Sequence, residues 1–202
     1  MARIGALITL AVALAVCAPA RGDGPPCGPA AAHSLAAGAL SRVYVTGVTV
    51  YGCTRGATSR RLGGTGPCQG PGAISAAVVS GRDAAVVNTV CGVDTGGATV
   101  AVVRLTDGRT LSSHPAAPVT APESFTQVQG LVLTPGGTVA WIGCVDSIVR
   151  HTAIIRVYAA SPSRPGPART LDGGPGVVAG SLRLTGRTVS WRHGAGRRHV
   201  RL

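Results

Sequence analysis

The 202-residue chain carries 19 Lys+Arg against 7 Asp+Glu, a formal net charge of +12. All 19 cations are arginine, which excludes Schiff-base chemistry, a lysine nucleophile and a P-loop lysine. Two Trp, three Tyr and one Phe are too few for a base-stacking platform or an aromatic sugar-binding face, while 45% hydrophobic and 13% charged residues exclude a disordered chain.

From the amino terminus, Arg3 is followed by an uncharged run, Ile4 to Ala18, and then Ala18-Pro19-Ala20. This is the pattern of a secretory signal peptide over residues 1–20. The run is about 15 residues, short of the roughly 20 that a membrane-spanning helix needs. The expected location is therefore secreted and extracellular, with no transmembrane segment in the mature chain. Lipoprotein anchoring through Cys17 is the alternative, because Leu14-Ala15-Val16-Cys17 approaches a lipobox, but a valine precedes the cysteine. Residues 21–32 form a Gly/Pro/Ala-rich flexible leader, and 33–202 form the body.

Across the body, short Val/Ile/Leu/Thr runs alternate with turn signals: Gly81-Arg82-Asp83, Asp107-Gly108, Pro135-Gly136-Gly137 and Gly186-Arg187. The hairpins recur. Leu131–Thr138 followed by Val139-Ala140-Trp141 matches Leu182–Thr188 followed by Val189-Ser190-Trp191, and the two tryptophans lie 50 residues apart. Downstream, Val102–Leu111 matches Val157–Leu171 and Val50–Leu62. The expected fold is all-β, with antiparallel four-stranded meanders repeating about every 50 residues. The first meander has a short first strand, Ser34–Ala37. The last has three strands, near Ser181–Leu184, Thr188–Arg192 and Arg198–Leu202.

In this outline the chain resembles β-propeller-like repeat proteins of the secreted, high-GC bacterial kind of unknown function. The resemblance implies a small or incomplete propeller of up to four blades, closed or an open arc. The alternative is a β-sandwich, which shares short strands and frequent turns.

Catalytic constellations are missing from the pattern. There is no G-x-S-x-G elbow, and six Asp and one Glu provide no obvious carboxylate pair. No cofactor and no metal site is expected. His193 and His199 flank the last hairpin, but scattered histidines are usually exposed loop residues. Trp141 and Trp191 are expected as packing residues between meanders, and Tyr44, Tyr51 and Tyr158 share that role. Asp83, Asp107 and Asp172 read as turn residues. Asp94 and Asp146 each follow a cysteine, in the loop after the second strand of a meander, and are candidate ligand contacts. So are Arg192, Arg197 and Arg198, in a carboxy-terminal stretch of six arginines with no acid.

Strand polarity sets the cysteine expectation. The loop after a second strand and the connector after a fourth lie at one end of a meander, which brings Cys68 near Cys91. Cys53, at the end of a third strand, lies about 17 Å away at the other end, beyond the 7 Å reach of a bridge. Cys27 on the leader then pairs with Cys53, and Cys144 is left over. The functional expectation is a secreted, non-enzymatic binding module of the cell envelope. Its partner is an anionic envelope polymer or another protein, not nucleic acid, and self-association is compatible with it. The alternatives are a hydrolase with a site in a central propeller channel and a half-propeller completed by a partner or a second copy.

Overall fold

A computed structural model describes residues 26–66, 73–92, 96–118, 123–147 and 152–202, and every regular element among them is a β-strand. Residues 1–20, expected as a signal peptide, with Cys17 among them, and Cys68 and Asp94 lie outside the described residues. The strands form four consecutive antiparallel meanders. Meander 1 holds β1 (His33–Ala37), β2 (Ser41–Thr46), β3 (Thr49–Thr54) and β4 (Arg60–Gly64). Meander 2 holds β5 (Ala73–Ser80), β6 (Asp83–Cys91), β7 (Gly96–Arg104) and β8 (Thr110–Pro115). Meander 3 holds β9 (Ser124–Leu133), β10 (Val139–Ser147), β11 (Thr152–Ser161) and β12 (Arg164–Gly173). Meander 4 has only β13 (Arg183–Thr185), β14 (Thr188–His193) and β15 (Gly196–Arg201).

In meanders 2 to 4 the turn between the first two strands carries a glycine in the left-handed region: Gly81 (φ 60°), Gly137 (φ 78°) and Gly186 (φ 58°). A side chain would resist that conformation, so these glycines fix where each chain reversal falls. Neighbouring meanders barely share hydrogen bonds. β4 meets β5 and β7 meets β9 through one parallel residue pair each, Gly64 with Ala73 and Gly96 with Phe125. What joins the meanders is face-to-face packing.

Strand alternation explains how. In β10, Val139, Trp141 and Val145 enter the core shared with meander 2, while Ala140 and Ile142 enter the core shared with meander 4. In β6, Ala84 and Val86 face meander 1, while Ala85 and Val87 face meander 3. Sheets covered on both sides need unbroken apolar runs, and Ala84–Val87 and Val139–Val145 are such runs. Three successive cores result. Each taken alone is a sandwich of two sheets, and the series is propeller-like. The first strands contact one another in order, β1 with β5, β5 with β9 and β9 with β13. Among the described residues no contact of that extent joins β13 back to β1, so the blades form an arc.

The two ends of the arc are finished differently. The free face of meander 1 is covered by residues 26–32, tied down by the Cys27–Cys53 disulfide. Arg42, 2% exposed, donates from its guanidinium to Ser34 Oγ (2.7 Å) and to the carbonyls of Pro29 (2.9 Å), Ala32 and Cys27 (3.5 Å). Tyr44 packs beneath Gly28, stacks on Tyr51 at 5.6 Å and donates to Ser59 Oγ. Tyr44 and Tyr51 thus serve the leader, and only Tyr158 takes the expected place between meanders. At the other end, meander 4 turns Val189, Trp191 and Val200 toward meander 3 and an uncovered polar face outward.

Candidate functional site

The polar features of the molecule converge where meander 4 meets β12. Trp141 and Trp191 sit at matching positions in second strands, and each reaches back to the meander before it. Trp141 is fully buried, stacks at 5.5 Å on Tyr158 and at 6.1 Å on His114, and donates its Nε1–H to the Ala116 carbonyl just past β8 (2.7 Å). Burial there lowers the His114 pKa. Trp191 is also buried, but its Nε1–H donates to a carboxylate, Asp172 Oδ2, at 2.6 Å.

Asp172 is not the turn residue expected from Leu-Asp-Gly-Gly. It lies within β12 with its side chain 5% exposed, and takes bonds from four donors. Besides Trp191, these are His193 Nδ1 (2.9 Å), an Arg198 guanidinium nitrogen (2.6 Å) and its neighbour's amide, Gly173 N (2.8 Å). Burial pushes the Asp172 pKa up, but the bonds from Trp191, His193 and Gly173 outweigh it and hold it below the ordinary carboxylate range. An ionised carboxylate only accepts, so His193 presents Nδ1–H to it. The other side of that imidazole, Cδ2 and Nε2, lies against Gly176, where a Cβ would approach to 2.5 Å. The His–Asp pair, with Trp191 and Arg198, acts as a clasp between meanders 3 and 4.

Beside the clasp runs a groove of about 540 Å³, lined by Arg169–Leu171 of β12 and Arg197–Val200 of β15, with Trp191 at its base. Successive strand residues point to opposite faces, so a groove lined by consecutive residues follows strand edges and not a sheet face. Arg169, Arg197, Arg198 and His199 are exposed along it. Around the corner, on the outer face of meander 4, the pairs Thr188–Arg201, Ser190–His199 and Arg192–Arg197 add Arg192 and Arg201 beside exposed Arg183. Among the described residues that line the groove or contact meander 4, the one carboxylate is Asp172, already bonded. A second groove of about 370 Å³, lined in part by Asp83, Arg104 and Arg109, lies between meanders 2 and 3. There Asp83 pairs with Arg104 at 3.1 Å, so its charge is partly balanced.

Of the residues singled out in the sequence, Arg197 and Arg198 line the groove, Arg198 being held by Asp172, while Arg192 is exposed on the outer face. Asp146 is displaced from its expected loop: β10 runs on through it to Ser147, and its Oδ1 accepts from Cys144 Sγ at 3.5 Å. Its strand continues because Val145 still has a core to enter. Cys144 is a buried free thiol whose pKa is pushed up to about 11 by burial and by Asp146. Cys91 is disulfide-bonded; Cys68, its expected partner, lies outside the described residues. His193 and His199 point to opposite faces of meander 4, since the first shares a face with Trp191 and the second pairs Ser190. They do not meet on one ligand. Among the described residues no three His, Cys, Asp or Glu side chains gather as metal ligands, and no helix is long and apolar enough to cross a membrane.

Asp172 and His193 were missed because their partnership spans two meanders. One clue was available: Asp172 is the last acid in the chain and is followed by seven cationic side chains before residue 200, counting His193 and His199. Compared with known proteins, the chain matches no family model, and no curated protein matches it.

Proposed function

We propose that this protein is an exported, non-enzymatic binding module whose partner-facing surface is meander 4 together with the groove it forms with β12. One observation carries the reading. Arg169, Arg183, Arg192, Arg197, His199 and Arg201 are exposed on a contiguous terminal unit, and the single nearby carboxylate is buried and occupied. An unopposed positive field draws anionic partners and raises their encounter rate, and it selects by charge without needing catalytic groups. The hydrolase alternative would need convergent acids or an open base. Among the described residues each aspartate is already engaged, Asp83 with Arg104, Asp107 with the Arg109 amide, Asp146 with Cys144 and Asp172 in the clasp with His193. Export agrees with the Cys27–Cys53 disulfide, which persists in oxidising compartments.

The test is retention of the purified chain on an immobilised polyanion at rising salt. The Arg192→Gln/Arg197→Gln/Arg201→Gln variant should elute at clearly lower salt than wild type. Removing the same charge elsewhere, with Arg55→Gln/Arg60→Gln/Arg61→Gln at exposed positions of meander 1, should change elution much less. Equal shifts for the two variants would show that net charge alone binds, and would overturn the assignment to meander 4.

A further inference from the structure

We infer that the groove between β12 and β15 receives an extended acidic segment of another protein, which adds to β15 as the fourth strand of meander 4. The inference rests on the proposed binding role of this meander and names the kind of partner. Three observations meet here. Meanders 1 to 3 each carry a fourth strand against the third, whereas among the described residues β15 pairs with β14 alone and its outer edge is unpaired. Where meanders 2 and 3 meet, the fourth strand β12 lies beside β8, the fourth strand of the preceding meander. The groove lies at the corresponding place, between β12 and the edge of β15.

The edge is in register to pair. His193 and Gly196 close the β14–β15 hairpin across Gly194-Ala195, and Leu202 N bonds Arg187 O at 2.9 Å at its far end. In an antiparallel ladder alternate residues turn their amides toward the partner strand. Trp191–Arg198 and Val189–Val200 are therefore the bonded pairs, and the N–H and C=O of Arg197, His199 and Arg201 face away from β14. None of these groups bonds a partner among the described residues. Unpaired edge groups are a template for strand addition, and cationic edges suppress self-pairing. Arg197, His199 and Arg201 are thus edge residues whose side chains repel a like-charged strand and attract an acidic one. A second copy is a poor occupant, because each chain brings 19 cations and 7 acids. Arg169 on the β12 side adds a positive charge to the opposite wall.

The experiment uses the full chain and a synthetic peptide of alternating glutamate and valine. Binding is read by fluorescence anisotropy, and amide exchange is read at residues 196–201. Bound peptide should slow exchange at Arg197, His199 and Arg201. Methylating the peptide nitrogens on alternate residues in one register should weaken binding about tenfold per group, the loss of one backbone hydrogen bond each, and in the other register hardly at all. A lysine-for-glutamate peptide should not bind. His199→Pro, which removes one outward N–H at an edge position that tolerates proline, should weaken binding while Trp191 fluorescence stays native. If both methylated registers bind like the parent peptide and no amide is protected, strand addition is wrong while charge-based binding stands. If no acidic peptide binds and the polyanion column also fails to distinguish the meander 4 variant, both readings fall. If only the polyanion binds, the partner is a polymer and this inference is overturned.

Discussion

Asp172 shows how far one side chain can carry a junction. Its carboxylate answers the indole N–H of Trp191, the imidazole of His193 and the guanidinium of Arg198. Replacing it with alanine strands the buried indole donor and leaves His193 and Arg198 without their acceptor, so Asp172→Ala should cost about 2 kcal/mol in urea unfolding. Asp172→Asn keeps the volume but turns an amide toward donors, and should recover little of that loss. Because the folded pKa is lowered, the stabilising contribution is complete above the ordinary aspartate range near pH 4 and fades as pH falls through the lowered value. Trp191 emission should therefore shift on acidification below about pH 4 in wild type and lose that step in Asp172→Asn. An unchanged acid step in the variant would assign it to another group.

At the level of strands, the boundaries followed from turn chemistry. Gly81, Gly137 and Gly186 mark reversals in the sequence and make them in the fold. The three strands of the last meander were legible near Ser181–Leu184, Thr188–Arg192 and Arg198–Leu202, and the pairing of Cys27 with Cys53 from strand polarity. Less visible was anything that depends on which strand lies opposite. Arg42 has the composition of a surface residue, yet three leader carbonyls bury it. Asp146 looked like a loop residue because Cys-Val-Asp-Ser follows an apolar run, and nothing local says that β10 continues. Gly143 is a further case. A Cβ there would collide with the Ala116 carbonyl, next to the point where β9 bulges by one residue at Gln129. Gly143→Ala should cost about 1–3 kcal/mol as overpacking against backbone. Gly97→Ala in β7, where a Cβ meets nothing within 4 Å, should be near neutral. Thermal unfolding of the pair checks both. The disulfide acts on an element too. Cys27→Ser opens a loop with a sequence separation of 26 residues, costing about 3 kcal/mol in the chain-entropy picture. It should also raise proteolytic cleavage before residue 33, with β5–β12 still protected.

For the whole molecule, the meanders behave as a short series of layers with unlike ends. Meander 1 is sealed by its own leader, and meander 4 by a charged face with one edge open. Stacked layers gain stability from their neighbours, and a terminal layer has one neighbour. Among the described residues meander 4 has three strands against four elsewhere, and its side-chain polar tie to meander 3 runs through one carboxylate, beside a backbone bond from Gly180 N to Gln129 O. Amide exchange should therefore rank β13–β15 as the first layer to open and β6, β7 and β10 as the last. Exchange from β10 as fast as from β14 would contradict a layered hierarchy.

Cys144 makes the molecule its own clock. The thiol is closed in on β10 beside Ala140 and Ile142, and a pKa near 11 keeps it protonated at neutral pH. A protonated, enclosed sulfur does not react with a thiol reagent, so each labelling event records a moment when the layers have parted. The labelling rate in the native protein should track the opening equilibrium of the third and fourth meanders and rise in Asp172→Ala by the factor that its lost stability dictates. A rate that ignores that substitution would mean that the sulfur is reached from the meander 2 side instead.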